Sequence, residues 1–155
     1  NDRSPQARNG RGTRRRHDRS MSNELTGGCL CGRLRYRARS AGTNATLCHC
    51  ESCRRAAGAP VVAWVTCRAA DFAWTAGEPG TYDSSPGVTR GFCGHCGTPL
   101  TYAREQDGDW VDLTLASLDA PAAIAPTDQI WVEDRLPWMA EAGSLPAHAR
   151  SRDGS

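Results

Sequence analysis

Phe92-Cys93-Gly94-His95-Cys96-Gly97-Thr98 is the stretch whose reading decides the fold. Two cysteines separated by two residues can aim their sulfurs at a common centre, and the trailing Gly97 can take the positive φ that lets the chain turn away. This is the form of a zinc knuckle. One knuckle supplies two ligands, so a partner pair is needed elsewhere. Cys29-Leu30-Cys31, flanked by Gly27, Gly28 and Gly32, offers two more sulfurs on a similarly glycine-loosened turn. The third cluster reads Cys48-His49-Cys50-Glu51-Ser52-Cys53. Seven of the eight cysteines therefore fall into three tight groups. Seven sulfurs cannot fill two closed tetrahedral sites, and one natural division is a tetrad and a triad. A closed site builds a fold, whereas three ligands with a free position can do chemistry.

The tetrad on this reading is Cys29, Cys31, Cys93 and Cys96. A zinc there would tie two distant parts of the chain, and structural zinc is worth about 10–16 kcal/mol in small peptides. That rivals the net stability of a domain, roughly 5–15 kcal/mol, so chelation is expected to unfold the protein. Cys48, Cys50 and Cys53 form the triad. The adjacent Arg54 and Arg55 can offset its negative charge or hold a substrate carboxylate. His49, between two presumed ligands, is expected to turn away from the metal, and His95 to be a bystander. A second site closed by His49 or another residue, and so purely structural, is the competing reading. Cys67 stands alone and is expected to be a buried apolar residue.

A disulfide framework explains the cysteines less well. Pairs two or three residues apart close very small rings that constrain the unfolded chain little and fit disulfide geometry poorly. Asn1–Ser20 also lacks the apolar run of a secretory signal. The expectation is a reduced, cytoplasmic protein.

The chain has 155 residues and 39% hydrophobic content, enough for one domain. No run of 18 apolar residues suggests a membrane span. The net charge of +2 misleads, because Asn1–Ser20 carries seven arginines against Asp2 and Asp18. That stretch has no apolar periodicity and is expected to be a disordered basic tail, with the functional protein beginning at or near Met21. The remainder is slightly acidic and gives no electrostatic case for nucleic acid. Residues 147–155 are expected to be a frayed terminus, which leaves one domain over 21–146.

Strand signals dominate between the tails. From Arg33 to Arg39, Leu34, Tyr36 and Ala38 alternate with four arginines, which describes a half-buried strand. Pro60–Thr66 reads as a buried central strand. Further strands are predicted at Phe72–Thr75, Thr89–Phe92, Leu100–Tyr102 and Trp110–Thr114, with turns at Gly77–Gly80, Ser84–Gly87 and Gln106–Asp109. Helical signals are confined to Glu51–Ala57 and a turn near Leu118–Ala123. The pattern predicts a mainly β single domain.

Taken together, Gly27-Gly28-Cys29-Leu30-Cys31-Gly32, Cys48 to Arg55 leading to Gly58-Ala59-Pro60, Phe92 to Thr98 and Ile130 to Trp138 resemble the glutathione-dependent formaldehyde-activating enzyme family. The resemblance implies a β-tent built around zinc knuckles and two Zn²⁺ per chain. Cys29, Cys31, Cys93 and Cys96 would hold the structural ion, and Cys48, Cys50 and Cys53 the catalytic one. It further implies a carbon–sulfur lyase that handles a small thiol such as glutathione and a small aldehyde, giving S-hydroxymethylglutathione in the namesake case. Arg54 is the expected substrate-binding residue. Trp64, Trp131 and Trp138 are candidate pocket walls. A non-enzymatic zinc-binding interaction module is the alternative, supported only by the basic tail.

Overall fold

The computed structural model describes residues 24–152, so the expected basic tail at 1–20 lies outside the described residues. Nine strands and one helix follow in order: β1 (Glu24–Gly28), β2 (Arg35–Cys48), α1 (Glu51–Ala57), β3 (Val62–Arg68), β4 (Ala73–Ala76), β5 (Gly80–Ser85), β6 (Val88–Phe92), β7 (Pro99–Arg104), β8 (Trp110–Thr114) and β9 (Asp128–Ile130). Short 3₁₀ turns fill much of the rest. The domain is mainly β, as the sequence pattern predicts. Among the described residues no helix is long and apolar enough to cross a membrane.

The hydrogen-bonded path runs β1-β2-β3-β8-β7-β6-β5, with β4 and β9 attached to β2. β2 belongs to both halves of the tent. Its Arg35–Arg39 segment pairs antiparallel with β1 and β4. Beyond a register shift, Ala45–Cys48 pairs with β3, and Thr46–Cys48 runs parallel to β9. The Leu34/Tyr36/Ala38 face is buried while Arg33, Arg37 and Arg39 are exposed, which is the period-two reading realised. β3 lies centrally between β2 and β8, and Val62, Trp64, Val65 and Cys67 are all buried.

The main core gathers Tyr36, Leu100, Leu113, Val65 and Cys67 with two knuckle sulfurs, Cys29 and Cys93. Tyr36, Phe72 and Trp74 form an aromatic cluster with centroids 5.1–6.0 Å apart. The Tyr36 hydroxyl is satisfied by Ser117 Oγ at 2.7 Å. Burial is the first reason its pKa is pushed up to about 12. Gly27 sits against this hydroxyl so closely that a Cβ would lie 2.3 Å from it.

Three strands escape sequence reading. β1 contains two glycines, β5 is rich in Gly, Ser and Asp, and β9 is only three residues long; each is a strand because a neighbour pairs with it, not because its own composition asks for it. The turns expected at Gly77 and Gly87 do occur, with φ of 72° and 70°.

Candidate active site

The two knuckle turns face each other. Gly32 N–H bonds to Cys29 O at 3.0 Å and Gly97 N–H to Cys93 O at 2.8 Å, and both glycines have positive φ, 76° and 78°. Space is not the constraint at either, since an added Cβ would meet nothing within 4 Å; the left-handed backbone is. Leu34 N–H donates to Cys29 Sγ at 3.2 Å, and Leu30 N–H to Thr98 Oγ1 at 3.1 Å, which stitches one turn to the other. Thr98 Oγ1 also lies 3.2 Å from Cys96 Sγ. Hydrogen bonds from Thr98 are the first causes that draw the Cys96 thiol down to about 5.

The four sulfurs of Cys29, Cys31, Cys93 and Cys96 lie within 4.8 Å of one another, with Cys29–Cys31 at 3.5 Å and Cys31–Cys93 at 3.8 Å. A tetrahedral zinc with Zn–S of 2.3 Å sets its sulfurs about 3.8 Å apart, so the donor set and spacing fit that ion. No disulfide joins any cysteine among the described residues.

The triad forms where β2 ends and α1 begins. Cys48 is the last residue of β2, and Cys50 caps α1 by accepting Cys53 N–H at 3.3 Å. Gly58, left-handed at φ 60°, ends the helix and returns its N–H to Arg54 O. The strand end and the first helical turn thereby bring Cys48, Cys50 and Cys53 together, again within 4.8 Å. The hydrogen bond with Cys48 is the first cause that lowers the Cys53 thiol to about 5, followed by Cys50 and Arg90, while the same contact raises Cys48. A cluster of thiols in such mutual contact readily exchanges protons for a soft cation.

His49 is not part of this cluster. It is buried, its Nε2–H donates to Gln129 Oε1 at 2.9 Å, and its Nδ1 has no hydrogen-bond partner among the described residues. His95 is exposed and Cys67 fully buried.

All three triad cysteines line a cavity of about 1000 Å³. Its walls include Trp64, Tyr102, Trp110 and Trp131, the last on the non-glycine positive φ of 56° that follows β9. Trp138 is exposed and does not line this cavity. Arg54 is likewise absent from the walls: its Nε donates to His49 O at 3.0 Å, and Arg55 pairs with Glu51 at 2.8 Å. Two arginines do line the cavity, Arg90 of β6 and Arg104, and it is Arg90 whose terminal nitrogens lie 3.8 and 3.9 Å from Cys53 Sγ. Sequence reading favoured the arginines next to the cysteines and passed over Arg90. Its signal was a lone charge within an otherwise uncharged strand, Val88–Phe92.

The profile of the glutathione-dependent formaldehyde-activating enzymes matches residues 24–134. The chain belongs to that family. A relative, an uncharacterized lyase of Schizosaccharomyces pombe, is 34% identical over 80 residues, which is 52% of this chain and 58% of that protein. The chain thus aligns with little more than half the length of this relative. A Rhodobacter sphaeroides protein of known crystal structure superposes with a TM-score of 0.58 at 22% identity, covering 67% of this chain and 98% of that one; the likeness concerns the fold alone. The family match spans both knuckle turns, the triad and the β9 segment that carries Trp131.

Proposed function

We propose that this chain is a zinc-dependent carbon–sulfur lyase acting on the adduct of a small thiol and a small aldehyde, with glutathione and formaldehyde as the pair the family suggests. The observation that carries the reading is the triad: three converging sulfurs, one short of a closed tetrahedron, all facing a cavity large enough for a tripeptide thiol. Membership of the family supports the same reaction class. Cys29, Cys31, Cys93 and Cys96 would hold a structural Zn²⁺, and Cys48, Cys50 and Cys53 a catalytic one.

Bound at the triad, zinc would supply a deprotonated thiol at neutral pH, where a free thiol of pKa about 8.5 is only a few per cent ionised. The chain's own residues do the rest. The cap geometry of α1 fixes Cys50 and Cys53, β2 fixes Cys48, and all three residues border the cavity, so an ion held there would be within reach of a thiol in it. Trp64 and Tyr102, with ring centroids 6.0 Å apart, present an apolar wall that limits water around the sulfur. The cavity wall carries charges of both signs, Arg90 and Arg104 together with Asp128 and Asp134, which suits a thiol that is itself zwitterionic. In the addition direction the thiol sulfur bonds to the aldehyde carbon, the C=O π pair moves to oxygen, and the thiol proton ends on that oxygen. Cleavage is the reverse. Holding sulfur and carbonyl together in one cavity lowers the barrier through proximity.

The test is NMR exchange spectroscopy on glutathione and formaldehyde with and without the zinc-loaded protein. Faster exchange between free and S-hydroxymethyl forms is expected, and Cys50→Ser abolishes it. An exchange rate unchanged by the wild-type protein refutes the reading.

A further inference from the structure

The Arg90 guanidinium is held from three sides. Nε donates to Ser84 Oγ on β5 at 3.1 Å, the Cζ sits 4.8 Å above the ring of Tyr102, its direct partner on β7, and both terminal nitrogens reach Cys53 Sγ on α1. Two neighbouring strands and the helix thus converge on one side chain. It has no carboxylate partner among the described residues, whereas Arg104, the other arginine on this cavity wall, pairs with Asp107. An arginine fixed yet left unpaired beside a cluster of sulfurs is placed for charge and not for fold stability alone.

Three thiolates and a divalent cation sum to −1, and a fourth anionic sulfur takes the centre to −2. Asp112, Asp128 and Asp134, which line the same cavity without an ion-pair partner among the described residues, add to that negative charge. Without a compensating cation, the incoming sulfur meets net repulsion in a partly desolvated site. We propose that Arg90 is a positioning residue that offsets the charge of the three-sulfur centre and so lets it accept a fourth, anionic sulfur. The proposal rests on the triad acting as the thiol site. It assigns Arg90 to the sulfur and not to a carboxylate of the thiol, because both terminal nitrogens are already turned to Cys53 Sγ. A hydrogen-bond donor on a metal-bound sulfur also withdraws charge from it.

The experiment separates these roles by choice of thiol. Titration calorimetry on the protein carrying two zincs per chain uses 2-mercaptoethanol, which has neither carboxylate nor ammonium group, and glutathione. Arg90→Met is expected to weaken both thiols by a similar factor, about tenfold, the worth of one charge-assisted hydrogen bond, and Arg90→Lys to recover part of the loss. Should the methionine variant fold poorly, Ser84→Ala, which frees the guanidinium without removing it, gives a smaller loss of the same sign for both thiols. Loss confined to glutathione overturns the proposal in favour of a carboxylate clamp, and unchanged affinity for both overturns it outright. Absence of thiol binding to the wild-type zinc protein refutes instead the reading of the triad as a thiol site, and the proposal falls with it.

Discussion

Removing one sulfur from each centre should have unequal consequences for stability, and the inequality can be worked from the connectivity. The tetrad joins Cys31 to Cys93 across 62 residues. Treated as a cross-link, a loop of that length restricts the unfolded chain by about 4 kcal/mol. The triad spans only the five-residue step from Cys48 to Cys53, and the same relation gives about 2 kcal/mol. Local context widens the gap. Cys93 and Cys29 are part of the main core, so Cys93→Ser also buries a hydroxyl among apolar neighbours. Cys50→Ser places serine at a helix N-cap, where its oxygen can take over the Cys53 N–H bond. For a chain of this size, Cys93→Ser is expected to lower Tm by about 8–16 °C or to prevent folding, and Cys50→Ser by no more than about 4–8 °C. Calorimetry combined with metal analysis of each variant measures both quantities. Equal losses, or a larger loss for Cys50→Ser, would refute the division of the seven sulfurs into a structural and an open set.

Two further outcomes follow from single side chains. Gly27→Ala places a Cβ 2.3 Å from the Tyr36 hydroxyl and 2.5 Å from Ser117 O, and should cost about 1–3 kcal/mol. Gly94→Ala, with nothing within 4 Å, should stay within about 0.5 kcal/mol, and denaturant melts that rank the two the other way would contradict the packing described. Asp112 has its pKa raised, first by burial and against the Thr66 hydroxyl that donates to it at 2.6 Å. A carboxyl whose folded pKa lies above its unfolded value penalises the fold in full at neutrality, and the penalty fades as pH falls through the folded value towards the ordinary 3.8. Asp112→Asn should therefore raise Tm at pH 7, with the advantage shrinking on acidification; a variant no more stable at pH 7 would show that the cavity solvates this carboxylate.

The knuckle Cys93–Gly97, the helix Glu51–Ala57 and the strand Trp110–Thr114 were legible because their signals are local: ligand spacing, a capping position, a β-rich run. The division of the sulfurs was also legible, since four and three is a count. What sequence reading missed depended on partners distant in the chain. β9 is a strand because Thr46–Cys48 offers it a free edge, and Trp131 reaches the cavity only because that pairing sets it there. Arg54 attracted notice by adjacency to Cys53, yet one helical turn directs it to His49 O, while Arg90 arrives from a strand 37 residues on. Spacing along the chain identifies ligands well because a knuckle is a closed local shape. It identifies the charges around them poorly because those are set by how strands line up.

Trp64, Trp110 and Trp131, three of the chain's five tryptophans, border the same cavity as the sulfur triad. Indole emission is quenched by nearby sulfur and shifts as water leaves the ring, so the molecule carries its own optical gauge. A guest settling among these rings can be followed by fluorescence without a label, and the Trp131→Phe protein would tell how much of the signal comes from the exposed indole after β9.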